Sequence, residues 1–141
     1  MPVVSCLRFQ ARPHECDSLG LLSSLSYARW MEETAMHASA EVGWTTERYQ
    51  AEGYLWVIRQ TSIDFLHPIR LAESIEVKTW VMDMRRVRSH RQYEFRNQAG
   101  VLVAKAITDW VFWDTRKQRL ASIPQEVMRA YAPELTAPDE P

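Results

Sequence analysis

The chain has 141 residues, of which 46% are hydrophobic, and its formal net charge is −1. This length fits one domain with a substantial core. The near-neutral charge argues against a protein that is drawn to nucleic acid or to a membrane surface by its overall field.

Cysteine usage and the N-terminal residues favour a reducing, cytoplasmic compartment. Two cysteines without metal-ligand spacing predict neither a disulfide framework nor a zinc site. Arg8 and Gln10 interrupt the first apolar residues, which argues against a signal peptide. No apolar run approaches the roughly 20 residues of a membrane span. We expect one cytoplasmic domain over residues 1–141, with residues 132–141 as a loose tail.

The clearest predicted element is an α-helix within residues 25–43. Apolar residues recur there at steps of three and four and build one buried stripe, consisting of Ala28, Met31, Ala35, Ala38 and Val42. Ser23 and Ser24 offer side chains that cap a helix start, and Gly43 stands where a helix commonly ends. The alanines on the stripe predict close packing of this helix against a neighbouring sheet.

Most other segments have the patterns of strands. Apolar alternation or continuous apolar runs predict strands over residues 3–12, 54–66, 74–84, 89–97 and 101–114. A turn or short helix is expected over 45–53, and a closing helix over 123–135, with Pro124 near its first turn. One strand, a long helix and four further strands are typical of an α+β domain with the helix on one antiparallel sheet. The sequence lacks a glycine-rich phosphate loop, which argues against the nucleotide-binding classes.

Asp17 lies between the first predicted strand and the long helix, and it is the main catalytic candidate. Gly20, just after it, would let the backbone approach a ligand closely. The N–H groups at the helix start could hold a thioester carbonyl oxygen as negative charge develops on it. Beside such donors, Asp17 could attack the carbonyl or activate a water molecule. An aspartate in a turn before a helix is more often a capping or turn residue, so the spacing alone favours that role over catalysis.

Three segments follow one another in an order that is characteristic of a known family. The first comprises Asp17, Gly20, Tyr27, Trp30 and the acidic pair Glu32-Glu33. The second covers residues 62–81, with a proline between two strands, and the third covers residues 110–126, where a strand ends in a basic turn and a helix led by a proline. Together they resemble the hotdog-fold superfamily of 4-hydroxybenzoyl-CoA thioesterase-like and acyl-ACP thioesterase-like proteins, over about residues 5 to 131.

This resemblance implies a hotdog fold, in which a five-stranded antiparallel sheet wraps around one long central helix. It also implies that subunits pair edge to edge into dimers or tetramers, with active sites at the subunit interface. The implied activity is hydrolysis of an acyl-CoA or acyl-carrier-protein thioester to a free acid and a thiol. No metal or redox cofactor is expected, and CoA or phosphopantetheine enters only as part of the substrate.

By the same resemblance, Asp17 is the catalytic nucleophile or general base, and the backbone N–H of Ser24 polarises the carbonyl. Glu33 is a further catalytic candidate, since an acid near this position sometimes assists in relatives; a solvated helix charge is the alternative. Gly20, Leu21 and Tyr27 are expected to contact substrate. Many relatives have Gly-His and Asn-Asn where this chain has Gly20-Leu21 and Ser23-Ser24, which weakens the analogy with plant acyl-ACP thioesterases.

His67 and the basic stretch from Arg85 to Arg96 are the remaining candidates for substrate binding. His67 would line the site as an acid or base, although a loop histidine is more often a solvated side chain. Arg86 and Arg88 would contact the phosphates of CoA or phosphopantetheine through forked hydrogen bonds. A solvated, salt-bridged hairpin would explain the same arginines.

Four tryptophans fall in predicted strands and would form core or interface packing or line an acyl tunnel: Trp56, Trp80, Trp110 and Trp113. Other activities occur on the same fold. The Asp-His pair usual in hotdog dehydratases is not evident. A hotdog protein that binds acyl-CoA without turnover remains the alternative from another functional class.

Overall fold

The computed structural model describes residues 3–131. Within these residues the strands are β1 (Ser5–Gln10), β2 (Tyr54–Phe65), β3 (Ser74–Arg85), β4 (Arg88–Asn97), β5 (Leu102–Asp114) and β6 (Arg119–Leu120). The helices are α1 (Ser24–Glu41), α2 (Thr46–Glu52) and α3 (Gln125–Tyr131), and a 3-10 turn covers Pro13–Glu15. The end of the predicted closing helix and the predicted tail over residues 132–141 lie outside the described residues.

The strands form one antiparallel sheet. Its five long strands follow the order β1-β3-β4-β5-β2, and β6 adds two residues beside the end of β5. Buried side chains of the sheet and of α1 belong to one core cluster, so the long helix lies against one face of the sheet. The predicted α+β class is confirmed, with β6 as a small addition to the five expected strands.

Helix α1 begins at the predicted serines. Ser23 is its N-cap, and the Oγ atom accepts a hydrogen bond from the Ser26 N–H at 3.4 Å. Gly43 follows the helix with φ +91°, a left-handed conformation that glycine adopts without strain. The buried face comprises Ser26, Tyr27, Trp30, Met31, Thr34, Ala35 and Ala38. Neither α1 nor another helix of residues 3–131 is long and apolar enough to cross a bilayer.

Two groups of buried side chains hold the helices on the sheet. The first joins the N-terminal half of α1 to β3, β4 and β5 and includes Trp30, Met31, Tyr93 and Phe95. The second lies beneath α2 and α3 and includes Trp44, Tyr49, Phe112 and Val127. The two short helices therefore close the sheet around the C-terminal end of α1.

Strand β2 is an edge of this sheet. It pairs with β5 on one side only, and the side chains of Leu55, Val57 and Phe65 are at least 39% exposed. A twelve-residue edge with open N–H and C=O groups is a ready site for pairing with another strand. Helix α1 packs on β1 and β3, and its N-terminal half also reaches β2, where Tyr27 contacts Phe65.

Candidate active site

Asp17 closes a tight loop between the 3-10 turn and α1. Its backbone N–H donates to the Leu21 carbonyl at 2.8 Å. Its Oδ1 atom accepts from the N–H groups of Leu19 at 2.8 Å and Leu21 at 3.1 Å, and Gly20 adopts φ +77° at the tip. The side chain is exposed, and Oδ2 has no hydrogen-bond partner within residues 3–131. One carboxylate oxygen thus holds the loop, while the other faces solvent.

The Asp17 loop is docked on the connection between β2 and β3. Leu22 N–H donates to the Ile69 carbonyl at 2.8 Å, and Leu71 N–H donates to the Gly20 carbonyl at 2.9 Å. His67 belongs to this second loop; its side chain is exposed, and its backbone N–H is bound to the Val103 carbonyl at 3.0 Å. Gly20 and Leu21 therefore lie on one loop and His67 on another, and backbone hydrogen bonds join these two loops although they are far apart in the sequence.

Unpaired N–H groups stand at the start of α1. No acceptor in the described part of the chain binds the N–H groups of Ser24 and Leu25, the first two helical positions. The helix dipole adds a positive partial charge at this end. The geometry thus supplies donors at the predicted position, immediately after the Asp17 loop.

Glu15 is a positioning residue that the sequence reasoning missed. Its Oε2 atom accepts from the Trp30 indole N–H at 3.0 Å, and its carbonyl accepts from the Ser26 hydroxyl at 2.8 Å. These bonds fix the segment before Asp17 to the first turns of α1. No local pattern could reveal this role, because both partners come from the next element of the chain.

Tyr27 and Glu33 occupy contrasting environments. Tyr27 is only 3% exposed and packs edge-on against Phe65, with ring centroids 4.8 Å apart. Burial raises the pKa of the Tyr27 phenol, so this residue is a neutral part of the core. Glu33 is exposed on α1 and makes no ion pair within residues 3–131. Substrate contact by Tyr27 and catalysis by Glu33 both remain predictions.

The basic stretch of β4 is divided between two faces of the sheet. Arg88 lies on the outer face, where its Nη2 atom is 2.9 Å from the Asp109 carboxylate, which also binds Arg59. Arg86 sits in the preceding turn with φ +53° and an exposed side chain. Arg91 points to the inner face and is buried. Arg86 and Arg88 therefore remain accessible to phosphates at the outer surface, whereas Arg91 does not, and phosphate binding by the two remains a prediction.

We expect the Arg86→Glu substitution to raise KM for an acyl-CoA about two- to five-fold, because one exposed charge pair contributes up to about 1 kcal/mol. KM for the corresponding acyl-N-acetylcysteamine, which lacks the nucleotide, should not change. The effect should fade at high salt. Arg96→Glu is the matched control, since Arg96 lies at the other end of β4 beside Glu94. Equal effects on both substrates would reject phosphate binding by Arg86.

A cavity of about 370 Å³ lies between the C-terminal half of α1 and the sheet, and β2, β3, β4 and β5 all contribute to its wall. Most of its wall is apolar, formed by Ala35, Met36, Trp44, Leu55, Val81, Met84 and Trp110. The polar part of the wall consists of Glu32, Ser39, Thr46, Tyr49, Gln50, Trp56, Ser89, Arg91 and Tyr131. We call this cavity the inner pocket. Its size and its few polar groups are typical of a small-molecule site, and two of the predicted tunnel tryptophans, Trp56 and Trp110, line it.

Within one subunit, the inner pocket and the Asp17 loop lie toward opposite ends of α1. The first helical residue that lines the pocket, Glu32, is about 12 Å along the helix axis from Ser24. None of Asp17, Tyr27 and His67 contributes to the pocket wall. A substrate that used both features of one chain would have to extend along the helix.

Residues 3–131 contain no group of three or more His, Cys, Asp or Glu side chains arranged to hold a metal ion. Cys16, next to Asp17, is a free thiol. Burial and the neighbouring carboxylates of Asp17 and Glu15 raise the pKa of this thiol. Its environment is therefore opposite to that of an activated cysteine nucleophile.

Known proteins match both the sequence and the fold. The family model "Acyl-ACP thioesterase N-terminal domain" matches residues 6–131. "Putative acyl-CoA thioesterase YneP" of Bacillus subtilis is 25% identical over 79% of this chain and 80% of its own length. "Acyl-acyl carrier protein thioesterase ATL3, chloroplastic" of Arabidopsis thaliana is 23% identical over 86% of this chain, which spans 64% of the plant protein.

Among solved structures, the 1,4-dihydroxy-2-naphthoyl-CoA thioesterase Slr0204 from Synechocystis superposes with a TM-score of 0.83 at 18% identity, covering 99% of this chain and 100% of that one. This likeness confirms the predicted hotdog fold. The family match confirms the predicted enzyme class, a thioester hydrolase, at the level of the family. With the match extending over residues 6–131, the chain belongs to the acyl-ACP thioesterase N-terminal domain family.

Proposed function

We propose that this protein hydrolyses acyl thioesters of CoA or acyl-carrier protein, with Asp17 as its catalytic carboxylate. The observation that carries this proposal is that a free carboxylate oxygen and open N–H groups follow one another closely along the chain. Asp17 Oδ2 has no partner in the described chain, and the N–H groups of Ser24 and Leu25 begin the next element. A carboxylate beside oxyanion donors is the arrangement that acyl transfer requires.

Two chemical routes use the same groups. In the first, Asp17 attacks the carbonyl carbon, the C–S bond breaks, the thiolate leaves with the electron pair, and water then hydrolyses the acyl-aspartyl anhydride. In the second, Asp17 takes a proton from water, the hydroxide attacks the carbonyl, and the departing thiolate takes up a proton. In both routes the helix-start N–H groups bind the carbonyl oxygen as it becomes negative.

We further propose that the working site forms between two subunits. The open edge of β2 supports self-pairing, and two-fold pairing of a strand with its own copy is antiparallel. The Phe65 end of one β2, which packs beside Tyr27 near the Asp17 loop, would then meet the Tyr54 end of the other β2, which lines the inner pocket. The Asp17 loop of one subunit would thus serve the inner pocket of its partner, in a dimer or tetramer.

The test is thiol release from a panel of acyl-CoA and acyl-carrier-protein thioesters that varies in acyl length and in aryl against alkyl groups. We expect catalytic turnover with at least one class and no requirement for added metal. Tryptophan fluorescence, reported by Trp44, Trp56 and Trp110 in the pocket wall, measures acyl-CoA binding independently. Binding without thiol release across the panel would favour the alternative, an acyl-CoA-binding hotdog protein. The cytoplasmic location remains a prediction.

A further inference from the structure

Arg91 is a buried cation in an otherwise mostly apolar pocket. It shares its face of β4 with Tyr93 and Phe95, and only 6% of its surface is exposed. On the neighbouring strand β5 its partner in the register is Thr108, and both residues are buried on the face of the sheet that carries α1. An arginine on the buried face of a strand is unusual, because a desolvated charge is costly without a partner of opposite sign.

The partners of Arg91 leave most of its donors unused. Its Nη1 atom donates to the Thr79 hydroxyl at 3.1 Å, and its guanidinium carbon lies 5.7 Å from the ring centroid of Tyr131. No carboxylate of residues 3–131 forms an ion pair with it; Glu32 also lines the pocket and is not within salt-bridge distance. A guanidinium has five N–H donors, so this neutral environment satisfies only part of it.

The unused donors face the cavity. In the described part of the chain, the single fully enclosed side-chain N or O atom without a hydrogen-bond partner is Asp109 Oδ1. The remaining nitrogens of Arg91 are not among such atoms, and the residue retains a small exposed surface. Since Arg91 belongs to the wall of the inner pocket, that surface is open to a bound ligand.

A cluster of neutral hydroxyl groups shares the pocket wall with the arginine. The Tyr49 and Tyr131 hydroxyls are 2.8 Å apart, Trp56 Nε1 donates to Tyr49 at 2.9 Å, and Ser39 hydrogen-bonds to Tyr131. Burial raises the pKa of both tyrosines, so neither supplies a negative charge to Arg91. Its donors are already bound along a chain that runs from Trp56 Nε1 through the three hydroxyls to the Trp44 carbonyl, so the cluster cannot neutralise the cation.

We propose that the inner pocket takes an acyl group that ends in a carboxylate, so that the substrate is the mono-thioester of a dicarboxylic acid. The apolar wall would hold the methylene chain, and the guanidinium of Arg91 would bind the terminal carboxylate through two hydrogen bonds. The substrate thereby supplies the counter-charge that Arg91 lacks within residues 3–131. This inference rests on the proposed thioesterase function and names its substrate class.

The primary test needs no variant. Wild-type protein is assayed with matched pairs of alkanoyl-CoA and ω-carboxyalkanoyl-CoA thioesters of equal chain length, from four to twelve carbons. We expect kcat/KM to favour the carboxylated member about 10- to 100-fold at the best length, because hydrogen bonds to charged groups are worth that factor. Equal rates for the two members, or a preference for the plain acyl group, at every length would overturn the proposal.

A second measurement is independent of hydrolysis. Free dicarboxylic acids are titrated against the protein, with the fluorescence of the pocket tryptophans as the signal, and α,ω-diols of equal length, which carry no carboxylate, serve as reference ligands. We expect Arg91→Met to lose the preference for the diacid, Arg91→Lys to retain part of it, and Arg96→Met, on the outer face of the same strand, to keep all of it. Should Arg91→Met fail to fold, the wild-type comparison still decides.

The two proposals fail in different ways. Diacid binding that depends on Arg91, without turnover of any thioester, would support the carboxylate site and reject thioester hydrolysis. Turnover of plain acyl-CoA without a preference for diacids in either measurement would support hydrolysis and reject the carboxylate site. Diacid binding that is equally strong in Arg91→Met would also reject the site.

Discussion

Replacing Asp17 by asparagine will lower kcat at least about 10²-fold and change KM far less, since general-base catalysis alone contributes about 10²–10⁴-fold. Asparagine retains a side-chain oxygen that can accept from the Leu19 and Leu21 N–H groups, as Asp17 Oδ1 does. The loop should therefore persist, while the second oxygen is replaced by an amide nitrogen that neither attacks a carbonyl nor takes a proton from water.

Asp17→Ala is the companion variant, because it removes the loop hydrogen bonds as well as the chemistry. Each such bond contributes about 0.5–1.5 kcal/mol, so Asp17→Ala should melt earlier than Asp17→Asn while both are inactive. It also controls for slow deamidation of the introduced asparagine. A pair of variants that melt early yet hydrolyse at nearly the wild-type rate would show that Asp17 only caps the loop.

Mixing two inactive variants should restore activity, provided that the site is shared between subunits. Asp17→Asn retains the inner pocket, and Ala35→Phe retains Asp17 while filling the pocket from α1. In a mixed dimer, one of the two sites combines an intact Asp17 loop with an intact pocket. Random assortment makes half of the dimers mixed, and one of the two sites in each mixed dimer is intact. We therefore expect about a quarter of the activity of the same amount of wild-type protein.

The control is each variant alone, and light scattering with differently tagged chains verifies that mixed dimers form. Met36→Trp, at a more exposed position of the pocket wall, replaces Ala35→Phe if the latter melts early. Mixed dimers that form and remain inactive would place Asp17 and its pocket in the same subunit. A protein that is monomeric and fully active would exclude the shared site.

Local patterns in the sequence determined the elements. The three- and four-residue repeat predicted α1, Ser23 capped it as expected, and Gly43 followed its end. Alternation predicted the five long strands to within two residues at most ends. These features depend on residues that are near one another in the chain, which is why spacing and turn chemistry suffice to find them. The family resemblance then supplied the hotdog fold and Asp17 as a candidate.

Tertiary structure decided which face each charged residue occupies and which loops meet. The sequence presented Arg88 and Arg91 as parts of one basic stretch, but side chains alternate along a strand, so Arg88 pairs with Asp109 outside and Arg91 enters the pocket. Arg91 is two residues from the apolar Tyr93 and Arg88 is five, so the alternation of side chains could have indicated that only Arg91 faces inward. That alternation could not have indicated that a pocket opens between the C-terminal half of α1 and the sheet, or that Glu15 binds Trp30. Those features depend on how whole elements pack, and no local spacing encodes that packing.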